Sequence, residues 1–193
     1  MTADPSALRA HLRDVRRQIE PARRRVAADA VVAQVRALPE WSGAGRVAVY
    51  RATDGELDPA AIADAARADG KTTYLPVLAG DLLRFAAFDD TTAWVRNRYG
   101  IDEPADRDSV DADLMDLVIV PAVAVDRTGH RLGMGAGWYD RTFASHLGAR
   151  RTSGPSLVAL VYAEQIVTGL EPQAWDVPMD AVVTPTATLR PRP

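Results

Sequence analysis

Cysteine is absent from the 193 residues, which excludes disulfides, thiolate metal sites and cysteine nucleophiles together. Long apolar runs are absent as well. No stretch approaches the roughly 20 residues that span a bilayer, and the N-terminus has no signal-peptide apolar region. These absences point to a cytoplasmic protein with no membrane partner. An excess of positive charge is also missing: the formal net charge is -3 and the pI near 5.6. Nucleic-acid-binding domains usually carry a basic surplus, so nucleic acid is not an expected partner.

Histidine is scarce, and His11, His130 and His146 lack ligand-like spacing to one another. They are expected at the surface or in turns rather than around a metal. Trp41, Trp94 and Trp175 are expected to pack rather than to form stacking platforms. Arg9, Arg13, Arg16, Arg17, Arg23, Arg24 and Arg25 crowd the first 25 residues. Such a run reads as a solvated helix face, or as one that meets phosphates.

Hydrophobic residues make up 47% and charged residues 25%, an ordinary globular balance, and the length suits one domain over 1-193. Leu8, Leu12, Val15 and Ile19 recur at helical intervals, and Pro21 starts a second helix that Pro39 ends. Arg46 to Tyr50 reads as a buried strand, Asp58 to about Asp69 as a helix closed by Gly70, and Thr72 to Val77 as a strand. That order predicts a βαβ unit with a parallel pair. Leu82 to Phe88 is a further strand, Asp89 to Asp108 mostly loop or short helix, and Leu114 to Val125 a central strand ending near Pro121. A helix over Gly137 to Leu147 and strands at Leu157 to Tyr162 and Ala181 to Thr184 complete the pattern. The predicted fold class is α/β: a three-layer α/β/α domain with a mainly parallel central sheet.

Between the central strand and the helix that follows lies Arg131-Leu-Gly-Met-Gly-Ala-Gly137. Alternate glycines permit positive φ angles and a close approach of backbone N–H groups to an anion. Arg131 adds a permanent forked cation, and Asp140 could hold a divalent cation beside the same phosphates. A nucleoside-triphosphate site is one reading and a tight structural turn the other, since the segment is neither a GxxxxGK[ST] P-loop nor a GxGxxG fingerprint.

The longer segment RLGMGAGWYDR, Arg131 to Arg141, resembles the RxGxGxGxYD signature of 5-formyltetrahydrofolate cyclo-ligases. Ala7-Leu8-Arg9 with Arg16, Gly55-Glu56-Leu57-Asp58, Tyr74-Leu75-Pro76, Gly100 to Pro104, Trp175 to Pro178 and Val182 to Pro185 also fall in that family's order. The resemblance implies ATP and Mg²⁺-dependent conversion of 5-formyltetrahydrofolate to 5,10-methenyltetrahydrofolate, ADP and phosphate by a monomer.

Residue by residue, it implies ATP binding by Arg9, Arg131, Leu132, Gly133, Met134, Gly135, Ala136, Gly137, Trp138 and Tyr139. Folate would meet Arg51, Glu56, Met134, Gly135, Ala136, Gly137 and Trp138. Asp140 and Asp176 would hold magnesium, and Arg131 would stabilise the transferring phosphoryl group. Three positions depart from the pattern: Pro5 where a lysine often stands, Ala136 for glycine or lysine, and Trp138 for tyrosine or phenylalanine. A non-catalytic folate- or nucleotide-binding relative and another ATP-dependent transferase are the alternative readings.

Overall fold

Proline opens three of the helices, where its missing N–H leaves no bond unmade. They are α1 (Pro5–Arg17), α2 (Pro21–Arg36) and α3 (Pro39–Gly43), followed by α4 (Ala60–Ala68) and α5 (Trp138–Thr142). The computed structural model describes residues 4–106, 108–147 and 154–191. Asp4 caps α1 by accepting the Ser6 N–H at 3.0 Å. Gly70 closes α4 at φ +75°, the left-handed conformation that suits glycine.

The strands are β1 (Arg46–Ala48), β2 (Thr72–Ala79), β3 (Leu82–Ala87), β4 (Trp94–Arg96), β5 (Asp102–Pro104), β6 (Ser109–Val110) and β7 (Leu117–Pro121). After these come β8 (Ala124–Asp126), β9 (Arg131–Leu132), β10 (Ser156–Leu160), β11 (Ile166–Val167), β12 (Ala181–Val183) and β13 (Thr188–Leu189). The main sheet runs β13-β12-β10-β7-β1-β2-β3-β6. Its central strands β12, β10, β7, β1 and β2 are parallel, and β13, β3 and β6 add antiparallel edges. The predicted parallel pair is therefore present, with Val47 opposite Thr73.

Leu117, Val118, Ile119 and Val120 are all buried. Alternate residues of β7 face opposite layers, so a continuous apolar run is what a strand covered on both sides requires. Leu117 and Ile119 face Val31 and Val35 of α2, Trp41 of α3 and Ile62 of α4. Val118 and Val120 face Phe85, Phe143 and Met179 on the other side. The layers are thus α/β/α, with the second helical layer reduced to α5, short 3-10 turns and loops. None of the described helices is long and apolar enough to cross a membrane.

Phe85 is fully buried, and its ring centroid lies 6.3 Å from that of Phe143. Phe85→Ala is expected to destabilise the fold by about 3–5 kcal/mol through lost burial and an unfilled cavity. Denaturant midpoints measure this. A shift worth less than about 1 kcal/mol would mean that this layer repacks.

Several sequence expectations are corrected. The helix expected from Gly137 to Leu147 is the five-residue α5, then a 3-10 turn over Ala144–His146. It stops early because Thr142 Oγ1 accepts the Leu83 N–H at 2.9 Å and Phe143 turns into the core. The stretch read as loop or short helix contains the β4–β5 hairpin. The central strand ends at Pro121 as expected, but the apolar run beyond it holds a second strand, β8. His146 lies in the 3-10 turn, one of the two settings expected, but its side chain is only 6% exposed and packs on the Phe143 ring. Trp175, by contrast, is 63% exposed and does not pack in the core.

Candidate active site

The chain passes from β1 to β2 on one side of β1, then returns to build β7, β10 and β12 on the other. This reversal places a topological switch point between β1 and β7, where parallel sheets open a crevice beyond their carboxyl ends. A cavity of about 470 Å³ occupies that place. Tyr50 and Arg51 enter it from the end of β1, Pro121 and Ala122 from the end of β7, and Gly133, Met134 and Ala136 to Asp140 from the glycine loop and α5. The β4–β5 hairpin closes another wall through Asn97, Tyr99, Ile101 and Glu103.

The loop is held open by its neighbours. Strand β9 pairs with β8, so the chain leaves the sheet edge at Leu132 and turns back through Gly133. Gly135 and Gly137 have φ of +101° and +66°, whereas Gly133 is not in the left-handed region. Two of the three glycines thus use the freedom expected of them. Arg9 Nε donates to the Gly133 carbonyl at 2.9 Å, which fixes the loop's first turn to α1.

Arg131 is buried, with its side chain 4% exposed. Its Nη1 donates to Asp140 Oδ1 at 3.0 Å, and its guanidinium lies 5.8 Å from the Tyr139 ring centroid. Burial raises the Tyr139 hydroxyl well beyond its usual range, so it stays a neutral phenol. Asp140 Oδ1 also accepts the Val177 N–H at 3.2 Å. Because Val177 follows Asp176 in the chain, the two acids expected to hold metal are brought to the same corner. Asp176 Oδ2 accepts the Gln173 N–H at 2.8 Å.

Glu56 stands on another wall with its side chain only 8% exposed. Read alone, an acid in a turn suggests a solvated position, but this one accepts the Thr53 N–H at 3.0 Å and faces Arg16 at 3.6 Å. Burial pushes its carboxyl up, while the Thr53 N–H and the Arg16 charge oppose that shift. Arg51 lies over the Trp94 ring at 3.9 Å, on the rim shared with a smaller side cavity. Trp94, though 39% exposed, packs as expected, against Arg51 and the Phe88 ring, and Trp41 is buried.

Trp138 forms part of the mouth. Arg98 and Arg141 lie 5.5 and 4.9 Å from its ring centroid, and Tyr99 meets it edge-on at 6.4 Å. Leu132 does not join the cavity; it packs against the cluster of Leu12, Val123 and Ala124. Gly135 and Asp176 lie outside the cavity's immediate lining, as does Arg9.

Sequence reasoning gave Tyr99, Glu103 and Arg16 no place in the site, although Arg16 and Glu103 fall within segments that resemble the family. Glu103 is 6% exposed and its Oε1 accepts the Leu78 N–H and an Asn97 amide N–H at 3.3 and 2.8 Å. Arg16 has no exposed surface, contrary to the solvated face read from the arginine run. The chain's one lysine, Lys71, is committed to the Trp41 and Ala44 carbonyls at 2.7 and 2.8 Å. Every cation lining the cavity is therefore an arginine.

The donor set suits a magnesium ion held jointly with a nucleotide. No group of three or more His, Cys, Asp or Glu side chains able to hold a metal occurs among the described residues. Mg²⁺, however, is commonly bound by one or two carboxylates plus substrate phosphates rather than by an all-protein cage. Asp140 offers one such carboxylate beside Arg131 and the loop, and Asp176, outside the lining, directly precedes Val177, whose N–H Asp140 accepts.

Comparison with known proteins shows where the whole chain finds its relatives. Residues 1–185 match the profile of the 5-formyltetrahydrofolate cyclo-ligase family. The chain is 35% identical over 181 residues to the 5-formyltetrahydrofolate cyclo-ligase of Escherichia coli K12, covering 91% of this chain and 97% of that one. It is 31% identical to the enzyme of that name from Haemophilus influenzae, over 89% and 92% of the two chains. The solved structure of Aquifex aeolicus 5,10-methenyltetrahydrofolate synthetase superposes with a TM-score of 0.83 at 28% identity, covering 98% of this chain and 93% of that one. Given a family match over nearly its whole length and relatives aligned along most of theirs, the chain belongs to the 5-formyltetrahydrofolate cyclo-ligase family.

Proposed function

We propose that ATP and 5-formyltetrahydrofolate meet in the cavity at the β1–β7 switch point, and that the protein converts them to 5,10-methenyltetrahydrofolate, ADP and phosphate. One observation carries this reading: a glycine loop, the buried Arg131–Asp140 pair and the buried Glu56 carboxylate line one cavity of about 470 Å³. A cavity of that size is in the range of small-molecule sites. We also read the working unit as a cytoplasmic monomer, in keeping with a chain that has no cysteine.

In the reaction the γ-phosphoryl group passes from ATP to the formyl oxygen, breaking its bond to the β-phosphate oxygen and releasing ADP. N10 then attacks the activated formyl carbon and loses its proton. Phosphate leaves with the former formyl oxygen, and the methenyl bridge remains as a cation. Such chemistry asks for positioning and charge neutralisation rather than a protein nucleophile.

Arg131 offers a fixed charge to the transferring phosphoryl group, in a setting where a buried charge acts more strongly than in water. The N–H groups of the loop face the phosphates, and Arg9 keeps the loop in place through the Gly133 carbonyl. Glu56 receives N–H donors of the pterin, and Trp138, with Met134, flanks the folate. Asp140 and Asp176 would hold Mg²⁺, whose contribution is to neutralise phosphate charge and orient the phosphoryl group.

Calorimetric titration tests the shared site. With Mg²⁺ and a non-hydrolysable ATP analogue present, 5-formyltetrahydrofolate is expected to bind one equivalent to the protein already saturated with nucleotide. Mutual exclusion of the two ligands would contradict a common reaction cavity.

A further inference from the structure

The wall of the cavity at Glu56 is assembled from separate elements, and one buried side chain reaches them all. Arg16, on α1, donates from Nε to the Asp54 carbonyl at 2.9 Å and from Nη2 to the Asp54 carboxylate at 3.0 Å. The same Nη2 lies 3.6 Å from Glu56 Oε1 and 3.8 Å from the Met134 thioether in the glycine loop. Nη1 reaches the Ala122 carbonyl beyond β7 at 3.5 Å. A guanidinium with no exposed surface is expensive to bury unless its donors are satisfied. Here its acceptors are the turn bearing Glu56 and the segments on either side of it.

The turn is pressed against α1 as well as bonded to it. Asp54 adopts φ +52° and Gly55 φ +77°. A Cβ on Gly55 would lie 3.2 Å from the Arg16 carbonyl oxygen and 3.3 Å from the Arg17 Cα. Arg13 and Arg17 grip the same Asp54 carboxylate from the exposed side. Burial alone would raise that carboxyl, but the arginine hydrogen bonds outweigh it and hold it below its usual range. Asp54 therefore remains a charged anchor, and Arg16 is the arginine that continues from it into the cavity wall.

We propose that Arg16 is a positioning residue for the folate side of the site, fixing the Glu56 carboxylate against the glycine loop through Asp54 and Met134. This rests on reading Glu56 as the acid that receives the pterin. The groups facing Glu56 are Arg16 from α1, Asp54 and Thr53 from its own turn, Tyr50 from the end of β1 and Tyr139 from α5. Both tyrosines are held neutral by burial, so Arg16 is the cation among these groups, and with the Thr53 N–H it opposes the upward push of burial on Glu56.

The test is a double-mutant cycle with Arg16→Met and Glu56→Gln, read as steady-state kinetics across pH on the full chain. Arg16→Met is expected to raise the KM for 5-formyltetrahydrofolate by roughly tenfold, with the KM for ATP changed less than about twofold. Its folate KM should also begin to climb at a higher pH on acidification than in the wild type, because the carboxylate has lost its cation. In the Glu56→Gln background the same substitution is expected to change the folate KM less than about twofold, with no pH shift.

A merely structural role predicts fewer active molecules by active-site titration, with KM and its pH profile unchanged in those that remain. That result, or full additivity in the two backgrounds, overturns the proposal. Should Arg16→Met fail to fold, Arg16→Lys serves in its place. It keeps the charge but loses the fork, and should raise the folate KM without moving the pH profile; additivity with Glu56→Gln again overturns the idea. If Glu56→Gln alone leaves the folate KM unaltered, the reading of Glu56 fails and the proposal with it.

Discussion

Arg131→Ala is expected to lower kcat by about 100- to 1,000-fold, the scale on which removing one preorganised charge-stabilising group acts. Arg131 starts β9, where pairing with Val125 of β8 fixes its backbone. Its side chain is 4% exposed and bonded to Asp140 at 3.0 Å. The guanidinium is thus shielded from water and held in place by Asp140 before any ligand arrives. Arg131→Lys keeps a point charge without the planar fork, so only partial recovery is expected. Turnover near that of the wild type, with unaltered ATP dependence, would remove Arg131 from the reaction.

Loss of this arginine also leaves the half-buried Asp140 carboxylate with the Val177 N–H but without its cation, an effect of about 1–3 kcal/mol on stability. A fall in activity therefore has to be measured per folded molecule. The second large effect supplies an internal comparison, because Asp140→Asn disturbs the same ion pair from the other side.

Asp140→Asn and Asp176→Asn are each expected to raise the Mg²⁺ concentration for half-maximal activity by at least about tenfold. Even residues that only orient a metal ligand are worth roughly 10- to 100-fold in metal affinity. Asparagine keeps the shape of Asp140, and its carbonyl oxygen can still accept from Arg131 and the Val177 N–H, so the corner persists without its charge. Magnesium titrations of the two variants check this. A generic packing defect would reduce activity equally at every Mg²⁺ concentration, and an unchanged titration would count against both acids as metal holders.

What could be read from the sequence follows physical lines. β7 announces itself because both of its faces are buried, and that leaves an uninterrupted apolar run. The glycine loop is visible because its backbone conformation restricts the residues that fit, at Gly135 and Gly137 above all. Arg131 and Asp140 were legible as charges beside the glycines, whereas Arg9 and Glu56 came from family resemblance; all but Arg9 line the cavity, and Arg9 holds the loop.

Other features left no local signal. Arg16 has the composition of a solvated helix face, and only the arrival of Asp54, 38 residues away, makes it a buried one. The β4 residues Trp94, Val95 and Arg96 are all exposed, so no alternation of burial marks that strand. Glu103 and Tyr99 become cavity residues because their hairpin folds back toward β2, a long-range event that periodicity does not encode. Where family members often carry a lysine, Pro5 opens α1, and the cations that line the cavity are arginines.

The most direct measurement mixes the purified protein with 5-formyltetrahydrofolate, ATP and Mg²⁺, following the near-ultraviolet absorbance of the methenyl product alongside ADP. Joint use of the cavity by both substrates predicts one ADP per methenyl group formed, and no product when either ATP or Mg²⁺ is left out. Product without ATP, or tight folate binding with no product under any condition, would contradict it.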